Sequence, residues 1–322
     1  MLINMHAIGG FFSLELPYGA TYHGDKAMKL NTGRNCLEYI LMNRHYKNVY
    51  IPYYTCDAVF EPFEKLGVKY TFYHINQSFE IDNNITLNSD EGLIYTNYWG
   101  INNHHVAYYA KKYGNRLIVD NTQAFFDKHI DGIDTFYSCR KFFGVPDGAY
   151  LYTDVNYSED IPISYSYDLT SYLLKRIDLS PEAAYDDFHK MEHRLSNLPI
   201  RKMSSFTDRM MHSINYSECI EKRKRNFNLL HESLESSNQL RIPISDNNVP
   251  MIYPYLTGSM TLREMLINNR VFVPKYWPDV EKWCNNNEVE VYLTNHILPL
   301  PIDQRYGVEE MLYIINIIKS CL

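Results

Sequence analysis

The chain has 322 residues, too many for one small core and suited to a large α/β unit plus a smaller one. Hydrophobic residues make up 45% and charged residues 21%, the balance of an ordinary globular protein. A net charge of −7 speaks against a general nucleic-acid binder, whose partner demands a basic surface, but leaves room for a local basic pocket around one anion.

The six cysteines (Cys36, Cys56, Cys139, Cys219, Cys284 and Cys321) form no CxxC pair and suit neither a zinc site nor a disulfide framework. They read as free thiols in a reducing compartment, and no metal is assigned. The opening stretch MLINMHAIGGFFSLELPYG lacks a basic region, and Glu15 interrupts its apolar run, so it does not read as a signal peptide. No run reaches the roughly 18 apolar residues that a membrane helix needs. The expectation is a cytoplasmic protein with no membrane partner. The 29 tyrosines carry no functional reading.

In chain order, Gly33–Arg44 is the first helical pattern, with Leu37, Ile40 and Leu41 on adjoining positions. Strands follow at Val49–Pro52, Val68–Tyr73, Gly92–Tyr98, Arg116–Asp120, Thr135–Ser138 and Ala149–Thr153, with helices at Cys56–Leu66 and His105–Tyr113 between them. This alternation predicts a three-layer α/β/α unit around a mostly parallel sheet. Pro162–Pro199 is polar and mixed. Ser217–Glu235 reads as a long helix near a basic KRKR cluster. A strand (MIYPYL), a helix (Thr261–Asn268), a strand (VFVP) and a last helix (Val308–Ile317) then predict a compact α+β unit. The division is placed near residue 200, giving a large unit of 1–200 and a small unit of 201–322.

Ligands of open α/β sheets gather at the carboxyl ends of the strands. Asp120 closes the apolar run RLIVD. A carboxylate shielded there is costly unless a cation or donor meets it, and the protonated pyridine nitrogen of pyridoxal phosphate is one such partner. A helix N-cap is the plainer role for such an Asp. Gln123 stands within reach of the same ligand. Lys141, in YSCRKFFGVPDGAYLY, lies beside Arg140 among apolar residues, a setting expected to lower its pKa as a Schiff-base lysine requires. The plainer reading is a surface lysine before a loop. Thr32–Asn35 (TGRN) opens a helix whose free N–H groups suit a phosphate, with Gly33, Arg34 and Asn35 at the turn. Ser138 is a second candidate phosphate ligand. His104 and His105 read as a solvated helix start, His296 as structural, and DQRY (Asp303–Tyr306) as a turn device.

TGRNCLEYIL, IPYYTCDAVFEPFEKLGVKYTFYHIN, IYTNYWG, LIVDNTQAFF, YSCRKFFGVPDGAYL and LPLPIDQRYG occur in that order and together resemble the DegT/StrS-type aminotransferases. The resemblance implies a fold-type-I enzyme that uses pyridoxal 5'-phosphate, a glutamate donor, a keto-sugar nucleotide acceptor in polysaccharide biosynthesis, and a homodimer. It implies that Lys141 carries the cofactor, Asp120 meets the pyridine nitrogen and Gln123 lies near the ring oxygen. It also implies that Gly33, Arg34, Asn35 and Ser138 hold the phosphate. Cys56 falls where many members stack an aromatic ring on the cofactor, with Tyr53 or Tyr54 as substitutes. The interval from Asp120 to Lys141 is shorter than is typical, and Ala149 replaces a common glycine. Relatives with His at the lysine position are dehydratases, which Lys141 speaks against. The competing expectation is a degenerate protein of this fold that binds a ligand or regulates without turnover.

Overall fold

The β-branched and aromatic runs pair into one seven-stranded sheet. The computed structural model describes residues 8–155, 160–243, 245, 247–286 and 288–321; the first seven residues of the N-terminal stretch read above lie outside them. The strands are β1 (Met28–Leu30), β2 (Asn48–Pro52), β3 (Lys69–Tyr73), β4 (Glu91–Thr96), β5 (Leu117–Asp120), β6 (Asp134–Ser138) and β7 (Ala149–Tyr152), in the order β1-β7-β6-β5-β4-β2-β3. From β3 to β6 every pairing is parallel; β7 runs antiparallel to β6, and β1 antiparallel to β7. The three-residue β1 carries too short a pattern to be read from sequence.

Alternation along the strands builds the two faces. Ile94, Ile118, Phe136 and Leu151 pack with α1 (Gly33–Arg44) and with Phe63 of α2 (Phe60–Leu66). Leu93, Val119, Tyr137 and Tyr150 face the opposite layer, which includes Val106, Tyr109 and Tyr113 of α3 (Asn103–Tyr113). The sheet is thus covered on both sides, as three layers require.

The polar middle segment folds as α4 (Ser171–Asp178) and α5 (Tyr185–Arg194), followed by α6 (Ser205–His212) and the long α7 (Tyr216–Leu234). Next come β8 (Ile252–Leu256), α8 (Leu262–Asn268), α9 (Val280–Trp283), α10 (Val289–His296), β9 (Ile297–Pro301) and α11 (Val308–Lys319). β8 and β9 pair antiparallel, and Phe227, Leu230, Leu266, Leu300, Met311 and Ile314 share one core. All six cysteines are free, and among the described residues no helix is long and apolar enough to cross a membrane.

Two expectations need correction. VFVP is not a strand: Val271 and Val273 are buried, but the Arg263 guanidinium takes the Val273 and Pro274 carbonyls at 3.2 and 2.6 Å, so no sheet partner forms. His105 is not solvated; it is buried, with Nδ1 3.0 Å from the Tyr95 hydroxyl. Several tyrosines prove to be core residues whose hydroxyls donate to buried carbonyls: Tyr73 to Ile94, Tyr95 to Phe79, Tyr98 to Tyr54 and Tyr137 to Asp127.

One ion pair fixes α1 against the sheet. Arg44 donates to both oxygens of Asp134 at 2.8 and 2.9 Å, and Asp134 is fully buried at the start of β6. Arg44→Met leaves that carboxylate buried without its partner, so urea denaturation should show a loss of about 3–5 kcal/mol. A loss below about 1 kcal/mol would place the pair with ordinary surface bridges instead.

Candidate active site

Asp120 is the last residue of β5, paired in register with Thr96 and Phe136. Its side chain is only 6% exposed, and Oδ1 accepts the Thr122 N–H at 2.8 Å. Among the described residues it has no ion-pair partner. Thr122 also accepts, at Oγ1, the Lys141 ammonium at 2.9 Å. Acid and amine are therefore joined through one threonine at the carboxyl ends of β5 and β6, where open sheets bind ligands.

The start of α1 closes on the same point. Thr32 caps the helix, its Oγ1 accepting the Asn35 N–H at 3.2 Å. A β-carbon on Gly33 would lie 3.4 Å from Thr122 Cγ2 and 3.8 Å from the Phe136 ring. The N–H groups of Gly33 and Arg34 have no acceptor among the described residues, and the dipole of a 12-residue helix favours an anion there. Ser138, two residues beyond Phe136 on β6, shares its face of the sheet; it is half-buried, and its hydroxyl has no partner among the described residues. These features fit a phosphate-bearing cationic cofactor: a phosphate at the helix start, a ring cation at Asp120 and a carbonyl carbon at Lys141.

Other predicted residues are engaged elsewhere. Lys141 itself is exposed rather than wrapped in apolar side chains, because Phe142 and Phe143 turn into the core and it does not. Arg34 pairs with Glu61 at 3.4 Å and reaches the Leu195 carbonyl. The Asn35 side chain is bonded to Thr32, Glu38 and the Leu198 carbonyl, so it braces the turn. Gln123 is buried and accepts the Trp99 N–H at 3.3 Å. Tyr54 is a core residue, fully buried among Phe79, Tyr98 and Trp277. Cys56 stays near the site: burial pushes its thiol up to about 11, while the Lys141 ammonium pulls it down.

Three contributors were not read as site residues. Thr122 is hidden inside the DNTQ run, where a strand-end hydroxyl carries no signal of its own. Arg223 of α7 and Gln304 both donate to the Phe142 carbonyl, at 3.4 and 2.8 Å, and the Arg223 guanidinium lies over the Phe142 ring. DQRY is thus more than a turn device: it holds the backbone next to Lys141. A cavity of about 310 Å³ is lined by Ile101, Lys224, Phe227 and Asn248, none of them among the predicted site residues.

A polar cluster adjoins the end of β5. Asn97 Nδ2 donates to Asn121 Oδ1 at 3.1 Å and to Asp127 Oδ2 at 2.7 Å. Desolvation pushes the Asp127 carboxyl up to about 7, against the pull of Asn103 and Asn97. A folded pKa above the unfolded one favours the folded state at low pH, and that stability is lost as pH rises through the folded pKa. Asp127→Asn removes this dependence. Its unfolding free energy minus that of the parent chain should therefore rise from about pH 4 to about pH 7, measured by chemical denaturation across that range.

Comparison with protein-family models and with curated proteins finds no match. Solved structures do match. The sugar aminotransferase CalS13 from Micromonospora echinospora superposes with a TM-score of 0.66 at 9% identity, over 92% of this chain and 88% of that one. The pyridoxal-phosphate form of the sugar aminotransferase Spr1654 from Streptococcus pneumoniae gives 0.63 at 14% identity, again over 92% and 88%. A DegT DnrJ EryC1 StrS aminotransferase from Brucella abortus gives 0.59 at 14% identity, over 92% and 85%. Over nearly its whole length, the chain has the fold of these aminotransferases.

Proposed function

We propose that the chain is a divergent pyridoxal-phosphate-dependent aminotransferase of the DegT/StrS type. We propose further that it takes its amino group from glutamate and passes it to a keto-sugar nucleotide in polysaccharide biosynthesis. The observation that carries this reading is the link from buried Asp120 through Thr122 to the Lys141 amine, set against the free N–H groups of α1. The fold supports it, since the matching structures include sugar aminotransferases, one of them in pyridoxal-phosphate and pyridoxamine-phosphate forms.

When bound, the cofactor supplies a pyridinium ring that acts as an electron sink. Asp120 would keep the ring nitrogen protonated. Ser138 and the N–H groups of Gly33 and Arg34 would hold the phosphate. Lys141 would carry the cofactor and, once released, hold and return the substrate proton at Nζ. The large unit, 1–200, would bind the cofactor, and residues 201–322 would line the substrate side in a cytoplasmic homodimer. One observation favours a non-catalytic alternative: Cys56 stands where an aromatic ring is expected, and Tyr54 is buried elsewhere.

Purified protein given pyridoxal 5'-phosphate should show a near-visible absorption band that Lys141→Ala abolishes. Release of 2-oxoglutarate from glutamate with keto-sugar nucleotides should fall by roughly 10²–10⁴-fold in the same variant. A chain that stays colourless in excess cofactor overturns the cofactor assignment; a coloured chain without turnover on any acceptor favours the binding alternative. Gln304→Ala strips one donor from the Phe142 carbonyl. It should keep the band but lower kcat by up to roughly 10²-fold, because a small misplacement of Lys141 suffices.

A further inference from the structure

Three side chains of different chemistry, none of them assigned to the Lys141 site, meet where β3 ends. His74 Nδ1 lies 3.2 and 3.3 Å from the two oxygens of Glu290, and Cys284 Sγ lies 3.8 Å from Glu290 Oε2. The three ligand atoms all fall within 4.8 Å of one another. Tetrahedral zinc has bonds of about 2.0–2.1 Å to N and O and about 2.3 Å to S, which spaces N and O donors roughly 3.3 Å apart and O and S donors roughly 3.6 Å apart. Two of the three separations already stand near those values.

We propose that His74, Cys284 and Glu290 bind one zinc ion, with water in the fourth position. A thiolate, an imidazole and a carboxylate suit zinc rather than calcium or magnesium, which take oxygen donors. The surroundings orient the donors as outer-shell partners do. The Ile75 N–H donates to Glu290 Oε1 at 2.8 Å. The His74 ring stacks on Tyr53 at 4.4 Å, and Trp283 Nε1 donates to the Tyr53 carbonyl at 2.9 Å. Glu290 is fully buried, and its side-chain partners among the described residues are His74 and Cys284. On binding, the Cys284 thiol gives its proton to solvent, and so does the His74 Nδ1–H that faces Glu290, leaving a neutral imidazole with its proton on Nε2; no redox step is involved. The ion would tie the end of β3 to the α9–α10 segment, whatever occupies the Lys141 site.

The test is metal content after the whole protein is loaded with zinc and desalted. One zinc per chain is expected, with at least tenfold weaker retention in Cys284→Ser and in His74→Ala, and unchanged retention in Cys321→Ser. Cobalt in place of zinc should give the parent chain tetrahedral visible bands and a thiolate charge-transfer band, a readout that needs no variant to fold. Absence of stoichiometric zinc, a cobalt spectrum without thiolate character, or retention in the Cys284 and His74 variants equal to that of the parent chain each overturns the site.

Discussion

A carboxylate held at 6% exposure with one backbone N–H and no ion partner among the described residues is the constraint on which the proposed site turns. Burying an ionised carboxylate is unfavourable by several kcal/mol unless charge or donors compensate. At Asp120 the fold supplies one donor, the Thr122 N–H. A cation at the open end of β5 would add to it, and Lys141 stops one hydrogen bond short of being that cation: its amine rests on Thr122 Oγ1. A threonine between acid and lysine keeps them from neutralising each other as an ion pair. That arrangement suits a site in which the acid has to meet a different cation.

The surroundings of Lys141 and α1 are braced from three directions. Arg44 anchors the far end of α1 to the start of β6 through Asp134, so the two elements that supply Gly33 and Ser138 cannot slide apart. On the other side, Asp147 accepts from Ser204 at 3.1 Å and from Thr207, tying the loop after Lys141 to the start of α6. Gly148 makes this approach possible: its φ of +103° lies in the region that favours glycine, and a β-carbon there would fall 2.8 Å from Thr207 Cγ2. Arg223 and Gln304 complete the set by gripping the Phe142 carbonyl. An exposed lysine on so restrained a backbone has a fixed root, and its amine rests on Thr122 Oγ1.

What the sequence made legible follows from how local each signal is. The strand RLIVD and the helix from Gly33 to Arg44 rest on local periodicity, and both appear where the pattern puts them. Asp120, Ser138 and Lys141 sit at strand ends, which a pattern can mark. The side chains of Asn35 and Arg34 bond to Leu198 and Glu61, partners from distant segments that no local pattern could show. Burial of Tyr54 and His105 depends on rings brought in by tertiary packing. VFVP has the composition of a strand, yet a single arginine from α8 takes the carbonyls a neighbour would need. The His74–Glu290 contact spans 216 residues and leaves no spacing to read.

The C-terminal half grips the sheet at two separated places. Near β6 the grip is polar, through Arg223 and Gln304. Near β2 and β3 it is aromatic and acidic: Trp283 packs edge-on against Phe60 at 5.0 Å and stacks on Phe72 at 6.2 Å, while Glu290 receives the Ile75 N–H. The second grip lies at β3, the free edge of the sheet, which exposes Lys69, Tyr70 and Thr71 and is the strand most open to unwanted pairing. Covering the end of that strand protects the edge. It also fixes Tyr53 and Tyr54 at the end of β2, between the two grips. The carboxyl ends of β4 and β5, and Asp120 with them, lie between the two grips in the strand order. Rigid flanks around a buried acid are what a preorganised site requires, because its polar groups are then set before any ligand arrives.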